Sequence, residues 1–484
     1  MPITRTAILL CLFLLYVGLA AAEERLWYGL LHSHTAFSDG SGTPEEAFKT
    51  ARKNGLDFFA VTEHNHSAAE SSAGERKDGI LIATNHDLYN SPTLIPLSID
   101  GRERKVRSVL EAARMATDEQ FLAIYGQEFS TISSGNHVNV LGAKDVITVG
   151  NGKYSDLYDQ LSTSTFPVVV QLNHPDVYSD LFYQGARSDT TKKMYNDYGL
   201  DDYERSFAKL VAAADKHVHL IEVLSGPFAT KDKRVDNHRY EDHGDDYYFY
   251  LTQGFHISPS VGHDDHYRHW GDKSPARTGV YSEELTIPSL FQAMQDNRTF
   301  ATEDQNMAVN LHVNDAQMGS NLTLERDTPL QIRVDVNDKD EPNQTWAVTL
   351  IYGTVEPQAE NGFEVWREID GEQETKTVEG DGAVVFDGYL ASTEPEFYYA
   401  IVEQEDGNRA WTAPVWINHP ATGADLRPVS VETYVWTSNR SKYYHHDWCT
   451  VAGSILSKNR VEGPTPPDDR QLHSCTRSTG ESEH

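Results

Sequence analysis

The sequence predicts an α/β fold in which a barrel-sized set of strands is followed by an antiparallel β-sandwich and a small terminal module. Two observations carry most of this prediction. From Leu26 to about Thr302, short apolar runs alternate with amphipathic helical stretches, a pattern typical of repeated βαβ units. From about Met307 to Asn418 the pattern changes to short alternating strands separated by turns rich in Gly, Asp, Glu and Asn.

The first part of the chain supplies the strands of the predicted barrel. Its apolar runs are typical of strands buried on both faces, and they are predicted at 26–31, 57–61, 121–124, 138–141, 167–172, 219–223 and 257–261. Amphipathic helices are predicted between them at 44–54, 102–116, 202–216 and 237–250. Seven strands are enough for a barrel whose active site lies at the C-terminal strand ends. An open doubly wound sheet is the alternative.

The second part is predicted to be a β-sandwich over residues 305–418, with strands at 330–336, 347–351, 364–366, 383–386, 397–402 and 413–417. Trp346, Trp366, Trp411 and Trp416 lie in it. Tryptophans in a sandwich more often pack in its core, and a carbohydrate-binding face is the alternative. Contact with a glycan through the sandwich is therefore kept as an alternative prediction. Residues 419–428 are predicted to be a linker, and residues 429–484 a small module that contains cysteine.

The N-terminus is typical of a secretory signal peptide over residues 1–22. Arg5 precedes an apolar run from Ala7 to Leu19, and Ala20 to Ala22 are small residues suited to cleavage. The run is shorter than the ~20 residues that a spanning helix needs, so we expect no stable membrane anchor after cleavage. An uncleaved anchor is the alternative. The sequence therefore predicts a secreted or periplasmic protein whose barrel spans residues 23–304.

The net charge of −32 narrows the range of partners. Such a surface repels the phosphate backbone of nucleic acids, so we expect no nucleic acid binding. The ordinary explanation of the charge is solubility in an extracellular medium, and the more specific alternative is that clustered carboxylates bind cations.

The positions of the three cysteines limit the ligands of any metal. Cys11 is removed with the predicted signal peptide, and Cys449 and Cys475 lie near the C-terminus. Any metal in the barrel must then be held by nitrogen and oxygen ligands.

Residues of the kinds that bind metals lie at the ends of the predicted strands. His32 and His34 are two residues apart at the end of the first strand, so their side chains point to one face. Asp39 follows in a Ser-Asp-Gly turn. Further candidates at strand ends are His64, Glu128, His137, His174, Asp264 and His266. Each alone has an ordinary explanation as a capping or solvated residue, but the whole set indicates a metal site.

These motifs resemble those of the PHP (polymerase and histidinol phosphatase) superfamily. The order is His-x-His-x-x-x-Ser-Asp-Gly, Thr-Glu-His-Asn, Gly-x-Glu, His-Val-Asn, Asn-His-Pro and Asp-x-His, and the resemblance covers about residues 26–303. With the signal peptide and sandwich, the chain is most similar to the subgroup that includes the CehA/McbA-type metallohydrolases. The resemblance implies a distorted seven-stranded (β/α) barrel that holds two to three divalent cations (Mn, Zn or Fe).

The resemblance also implies which residues hold each cation. The first would be held by His32, His34, Glu128 and Asp264, the second by Glu128, His137 and His174, and the third by Asp39, His64 and His266. Many relatives have His where this chain has Asp39, and a carboxylate there favours harder ions such as Mn. Arg277 is the candidate for an oxyanion contact, with a surface Arg as the ordinary alternative. His263 and Asp265 flank ligands and would protonate a leaving group or orient the imidazoles.

The terminal segment resembles a short zinc-ribbon-like module. His445, Cys449 and Cys475 are its candidate ligands, but Ser478 stands where a further cysteine would fall. Because a structural zinc site needs four ligands, a Cys449–Cys475 disulfide is favoured over zinc.

The sequence predicts a secreted metal-dependent hydrolase that cleaves phosphomonoesters or phosphodiesters of small molecules through a metal-activated water. Hydrolysis of an aryl ester or carbamate at the same metal site is the first alternative. The alternative of another class is an inactive barrel that serves as a binding or scaffold module.

Overall fold

A computed structural model describes residues 24–65, 82–99, 101–129, 137–149, 154–164, 166–175, 214–226, 241–272, 274–355, 372–420, 434–437, 442–446, 459–463 and 470–472. The predicted signal peptide, most of the predicted linker, Trp366, Cys449 and Cys475 lie outside these residues. Across the part of the chain that is described, no helix is long and apolar enough to cross a membrane.

The N-terminal half contains helices and strands in alternation. The helices are α1 (Pro44–Lys53), α2 (Asp87–Asn90), α3 (Val109–Ala116), α4 (Tyr154–Ser162), α5 (Gly244–Thr252) and α6 (Ile287–Gln295). The strands are β1 (Arg25–Leu30), β2 (Phe58–His64), β3 (Ile95–Ile99), β4 (Arg102–Val106), β5 (Leu122–Phe129), β6 (Val138–Leu141), β7 (Val169–Leu172), β8 (Leu220–Ser225), β9 (Glu241–Asp242), β10 (Ser258–Gly262), β11 (Arg277–Ser282) and β12 (Thr299–Thr302).

The elements described in the C-terminal half are strands. They are β13 (Ala308–Val313), β14 (Ala316–Gln317), β15 (Asn321–Thr323), β16 (Pro329–Asn337), β17 (Thr345–Thr354), β18 (Glu372–Glu379), β19 (Gly382–Leu390), β20 (Glu396–Gln404), β21 (Arg409–Thr412), β22 (Val415–Asn418), β23 (Tyr434–Thr437), β24 (Tyr443–His446), β25 (Arg460–Gly463) and β26 (Gln471–Leu472).

A large mixed sheet positions the candidate site. Its strands follow the order β10-β8-β7-β6-β5-β2-β1-β11-β12 before the sheet continues into the C-terminal half. The pairs β1–β2, β2–β5, β7–β8 and β8–β10 are parallel, as the βαβ pattern predicts. A parallel bridge between Ser33 and Asp265 brings the residues after β1 against those after β10. The C-terminal ends of β1 and β10 therefore lie together.

The parallel pairing that repeated βαβ units predict does not hold at β6. This strand pairs antiparallel with both β5 and β7. Residues 130–137 connect β5 to β6, and such a segment is too short for the crossover of a dozen or more residues that a parallel pair requires. The reversal matters for the site, because it places the beginning of β6 at the same edge of the sheet as the C-terminal ends of β5 and β7.

Capping signals fix the helices that cover this sheet. Helix α1 begins with a capping box, in which the Thr43 side chain accepts from the backbone N–H of Glu46 and the Glu46 side chain accepts from that of Thr43. Phe48 of this helix is fully buried against the sheet. The helix predicted at 102–116 is only partly correct, because residues 102–106 form β4 and pair with β3. Gly101, at φ +70°, makes that hairpin turn.

The sheet continues from the N-terminal half into the C-terminal half through an antiparallel β12–β21 pair. A second sheet, ordered β14-β13-β16-β19, packs on these strands around one apolar core. Trp346, Trp411 and Trp416 are at most 2% exposed. The glycan-binding face suggested for these three residues is therefore wrong, because a stacking platform must be open to solvent. A four-stranded sheet, β25-β23-β24-β26, contains His445, which is buried.

Candidate metal centre

The segment after β1 forms the floor of the site. His32 and His34 are fully buried, and their Nε2 atoms lie 3.3 Å apart. The Nε2 atom of His34 lies 3.1 Å from Oε2 of Glu128 and 2.9 Å from Oδ1 of Asp264. The Nε2 atom of His32 lies 3.4 Å and 3.2 Å from oxygens of the same two carboxylates. These four side chains offer ligand atoms that all lie within 4.8 Å of one another.

Glu128, on β5, also belongs to a second group. Residues His64 and Glu128 are partners in the β2–β5 register, and the Nδ1 atom of His64 lies 2.9 Å from Oε2 of Glu128. His137 stands at the beginning of β6, and its Nδ1 atom lies 2.9 Å from Oε1 of Glu128. The Nε2 atom of His174, which follows β7, lies 3.5 Å from the same oxygen. One carboxylate thus contacts rings from several strand ends.

A third group surrounds Asp39. Its carboxylate oxygens lie 3.0 Å from Nε2 of His266 and 3.5 Å from Nε2 of His64. His34 completes the set of four whose ligand atoms lie within 4.8 Å of one another. The groups overlap, because His34, His64 and Glu128 each belong to two of them. The structure therefore brings all nine predicted ligands into one connected cluster.

The chemistry of these donors fits a bound cation. Nδ1 of His266 lies 2.8 Å from the backbone oxygen of Asp264. A carbonyl oxygen can only accept, so Nδ1 carries the hydrogen, and in a neutral ring Nε2 presents a lone pair. That lone pair faces a carboxylate oxygen of Asp39 at 3.0 Å. Two acceptors at this distance need a proton or a metal ion between them.

The pKa shifts show the same requirement. Burial alone would lower the pKa of His266, but the carboxylates of Asp39 and Asp264 outweigh it and raise the pKa to about 9. Burial would raise the pKa of Glu128, yet His64, His32 and His137 hold that pKa well below its usual range. His266 therefore favours its protonated form when no cation is present, and metal binding would displace that proton.

Backbone strain and an exposure gradient mark one side of the cluster. His174 and Asp264 have φ values of 30° and 45°, in the left-handed region that residues other than glycine seldom occupy. Their side chains are 13% and 12% exposed, whereas those of His34 and Glu128 are 0% and 1% exposed. His137 is likewise 13% exposed. A substrate would therefore approach over the more exposed ligands, His137, His174, Asp264 and His266, and not over His34 and Glu128.

Two buried carboxylates that support the ligands were missed in the sequence. Glu63 accepts from the backbone N–H of Thr35 at 3.0 Å and from the hydroxyl of Ser38, which lies 3.3 Å from Nδ1 of His34. Glu222, on β8, contacts Nδ1 of His32, the ring nitrogen that does not face Glu128 and Asp264. The signal for Glu222 was present, since a glutamate in the middle of an apolar run needs a buried partner.

The predicted oxyanion contact of Arg277 is not supported. This side chain is buried, and its Nη1 and Nη2 atoms donate to the backbone oxygens of Ser274, Ala276 and Gly271 at 2.8–2.9 Å. These bonds direct the guanidinium to a loop backbone. His263, predicted either to protonate the leaving group of a bound substrate or to orient the imidazoles, is 1% exposed and contacts the Ser274 hydroxyl at 3.0 Å. Its burial excludes direct contact with a substrate and favours a supporting role.

The arrangement of these groups defines a candidate metal centre with its ligands at the strand ends of a mixed sheet. Residues 31–247 match the family model of the PHP domain. The chain therefore contains a PHP domain, and the family predicted from its motifs is confirmed.

Comparisons with other proteins add only distant similarities. Among curated proteins, no relative matches the chain. The chain is similar to a two-domain protein from Bacteroides vulgatus containing a predicted PHP-like metal-dependent phosphoesterase (13% identity, 78% of this chain and 90% of that one, TM-score 0.34). It is also similar to a candidate metal-dependent phosphoesterase from Bifidobacterium adolescentis (14% identity, 48% of this chain and 75% of that one, TM-score 0.19).

Proposed function

We propose that this protein is an exported phosphoesterase that holds two or three divalent cations. The observation that carries the proposal is the set of overlapping groups of buried histidines and carboxylates. A divalent cation at such a site acts as a Lewis acid and lowers the pKa of a coordinated water towards neutrality. The ligands would be the nine residues implied by the motifs: His32, His34, Asp39, His64, Glu128, His137, His174, Asp264 and His266.

The residues of the chain define what such a site would bind. His32, His34 and Glu128 form a floor that excludes water, while His137 and His174 line the more open side. The buried floor strengthens every electrostatic interaction above it, because the local dielectric constant is low. A phosphoryl group entering from the open side would meet the imidazoles first.

Charge favours an anionic phosphoester over a neutral ester. The ligand carboxylates Asp39, Glu128 and Asp264 carry three negative charges, so two divalent cations leave one positive charge and three leave three. Glu63 and Glu222, both fully buried, add two further negative charges close by. When they are counted, only three cations leave a net positive charge. Three occupied positions would therefore suit an anionic substrate on a protein of net charge −32.

Hydrolysis assays test this proposal directly. The mature protein would be given a chromogenic phosphomonoester, a phosphodiester and an aryl ester or carbamate, each with added Mn or Zn. His34→Ala should abolish turnover of the phosphoesters, because His34 belongs to two ligand groups. His312→Ala is the control, since that ring pairs with Asp335 on the C-terminal sheet. Turnover of the aryl ester or carbamate alone would contradict the proposal and favour a carbonyl ester hydrolase. Metal binding without turnover of any substrate would favour an inactive barrel that serves as a binding or scaffold module.

Export and the finer architecture are also part of the proposal. The pattern over residues 1–22 supports a cleaved signal peptide and a secreted or periplasmic location. The Ser33–Asp265 bridge supports closure of β1, β2, β5, β6, β7, β8 and β10 into a seven-stranded barrel. The shared core of the two C-terminal sheets supports a sandwich over 305–418. Membership in the CehA/McbA-type subgroup remains a prediction. Protein mass after secretion would test the cleavage.

A further inference from the structure

Glu222 is a buried carboxylate that lies behind the floor of the site. Its side chain is fully buried, and Oε1 lies 2.8 Å from Nδ1 of His32. Nε2 of Gln171 donates to the same oxygen at 3.1 Å, and the backbone N–H of His174 donates to Oε2 at 2.7 Å. Glu222 therefore joins a ligand of the first group to the segment that carries His174.

These contacts determine which ring nitrogen of His32 carries the hydrogen. A backbone N–H can only donate, so Glu222 accepts at Oε2, and the Gln171 amide donates to Oε1. Nδ1 of His32 must then donate to Glu222, which leaves the lone pair of a neutral ring on Nε2. That atom faces the carboxylates of Glu128 and Asp264. A ring held in this way is ready to bind a cation.

We propose that Glu222 is a positioning residue of the metal centre. It holds His32 in the tautomer and orientation that bind metal, and through the backbone N–H it supports the strained conformation of His174. This inference rests on the metal binding of the proposed function but not on the substrate. Glu222 itself does not reach substrate, because it is fully buried and the ring of His32 lies between it and the ligand atoms.

Gly262 supplies an independent observation. A Cβ atom built at this position would lie 1.8 Å from Oε1 and 2.3 Å from Cδ of Glu222. The glycine stands at the end of β10, two residues before Asp264, and its φ is not in the left-handed region. Alanine there would fit the local backbone but would displace the carboxylate. The absent side chain at 262 therefore makes room for Glu222 behind His32.

Two variants test the proposal through metal affinity. Glu222→Gln replaces one accepting oxygen by an NH₂ group, which would oppose the donor of Gln171 or of His174. Gly262→Ala keeps the carboxylate but moves it. In each we expect the Kd of the tightest zinc site, measured by competition with a chromogenic chelator, to rise 10- to 100-fold. Glu303→Gln is the matched control, since that buried carboxylate pairs with Arg409 and is not among the ligand groups.

A spectroscopic measurement separates positioning from a general loss of structure. In zinc-loaded protein labelled with ¹⁵N-histidine, the His32 ring should carry its hydrogen on Nδ1, and Gly262→Ala should weaken or shift that signal. If Glu222→Gln does not fold, Gly262→Ala and the wild-type tautomer carry the test. Zinc affinities within twofold of wild type in the folded variants, or a hydrogen on Nε2 of His32, would overturn the role of Glu222 but not the proposed function. Failure of the wild-type protein to bind zinc would overturn the proposed function as well.

Discussion

Glu128→Gln should remove most of the bound metal while leaving the fold in place. Glu128 belongs to the group of His32, His34 and Asp264 and to the group of His64 and His137, but not to the group around Asp39. If all three groups bind, the variant should retain about one of three equivalents. The replacement is isosteric, so the loss follows from charge and ligand strength rather than from packing.

The expected loss of activity follows from the same contacts. Metal ions contribute several kcal/mol of transition-state stabilisation, and a loss of roughly 4 kcal/mol corresponds to about a 10³-fold lower kcat/KM. Metal content after dialysis would be measured by mass spectrometry, beside turnover of the preferred phosphoester. Asp39→Asn is the informative comparison, because it should lose one equivalent and keep two. Glu128→Gln with a full complement of metal would refute the assignment of that carboxylate to two groups.

Three further predictions address charge and stability. Asp39→Asn should lower phosphoester turnover more than aryl ester turnover, because it empties one cation position; equal losses would contradict the charge argument. Burial lowers the pKa of His219 to about 4 from 6.5, so the folded state binds its proton less readily than the unfolded state. The contribution of His219 to stability should therefore fall by up to about 3 kcal/mol as the pH drops from 6.5 to 4, and urea unfolding of His219→Gln should lack this contribution to the pH dependence. Arg409→Met should destabilise the protein by about 3–5 kcal/mol in the same assay, since it leaves Glu303 buried without its cation, and Glu303→Gln in addition should restore part of that loss.

The types of the ligands and the edge on which they meet were determined by the sequence. Apolar strands that end in His, Asp or Glu indicate a metal site, because carboxyl ends of parallel strands share one edge of a sheet. The same motifs predicted the PHP domain, which the family match confirms. The register of His64 with Glu128 follows from that shared edge. These features are local in the chain or follow directly from parallel pairing, so periodicity and motif order were sufficient to find them.

Tertiary structure decided which groups share ligands and what supports them. The reversal of β6 brings His137 to Glu128, and the apolar pattern of this strand does not by itself report its direction. Glu222 meets His32 across 190 residues, so only the fold reveals that contact. Arg277 stands at the beginning of β11, and only the fold shows that its donors are directed to backbone oxygens. Long-range contacts of this kind depend on where distant strands pack, which is why the sequence determined the ligands and the fold determined how they are held.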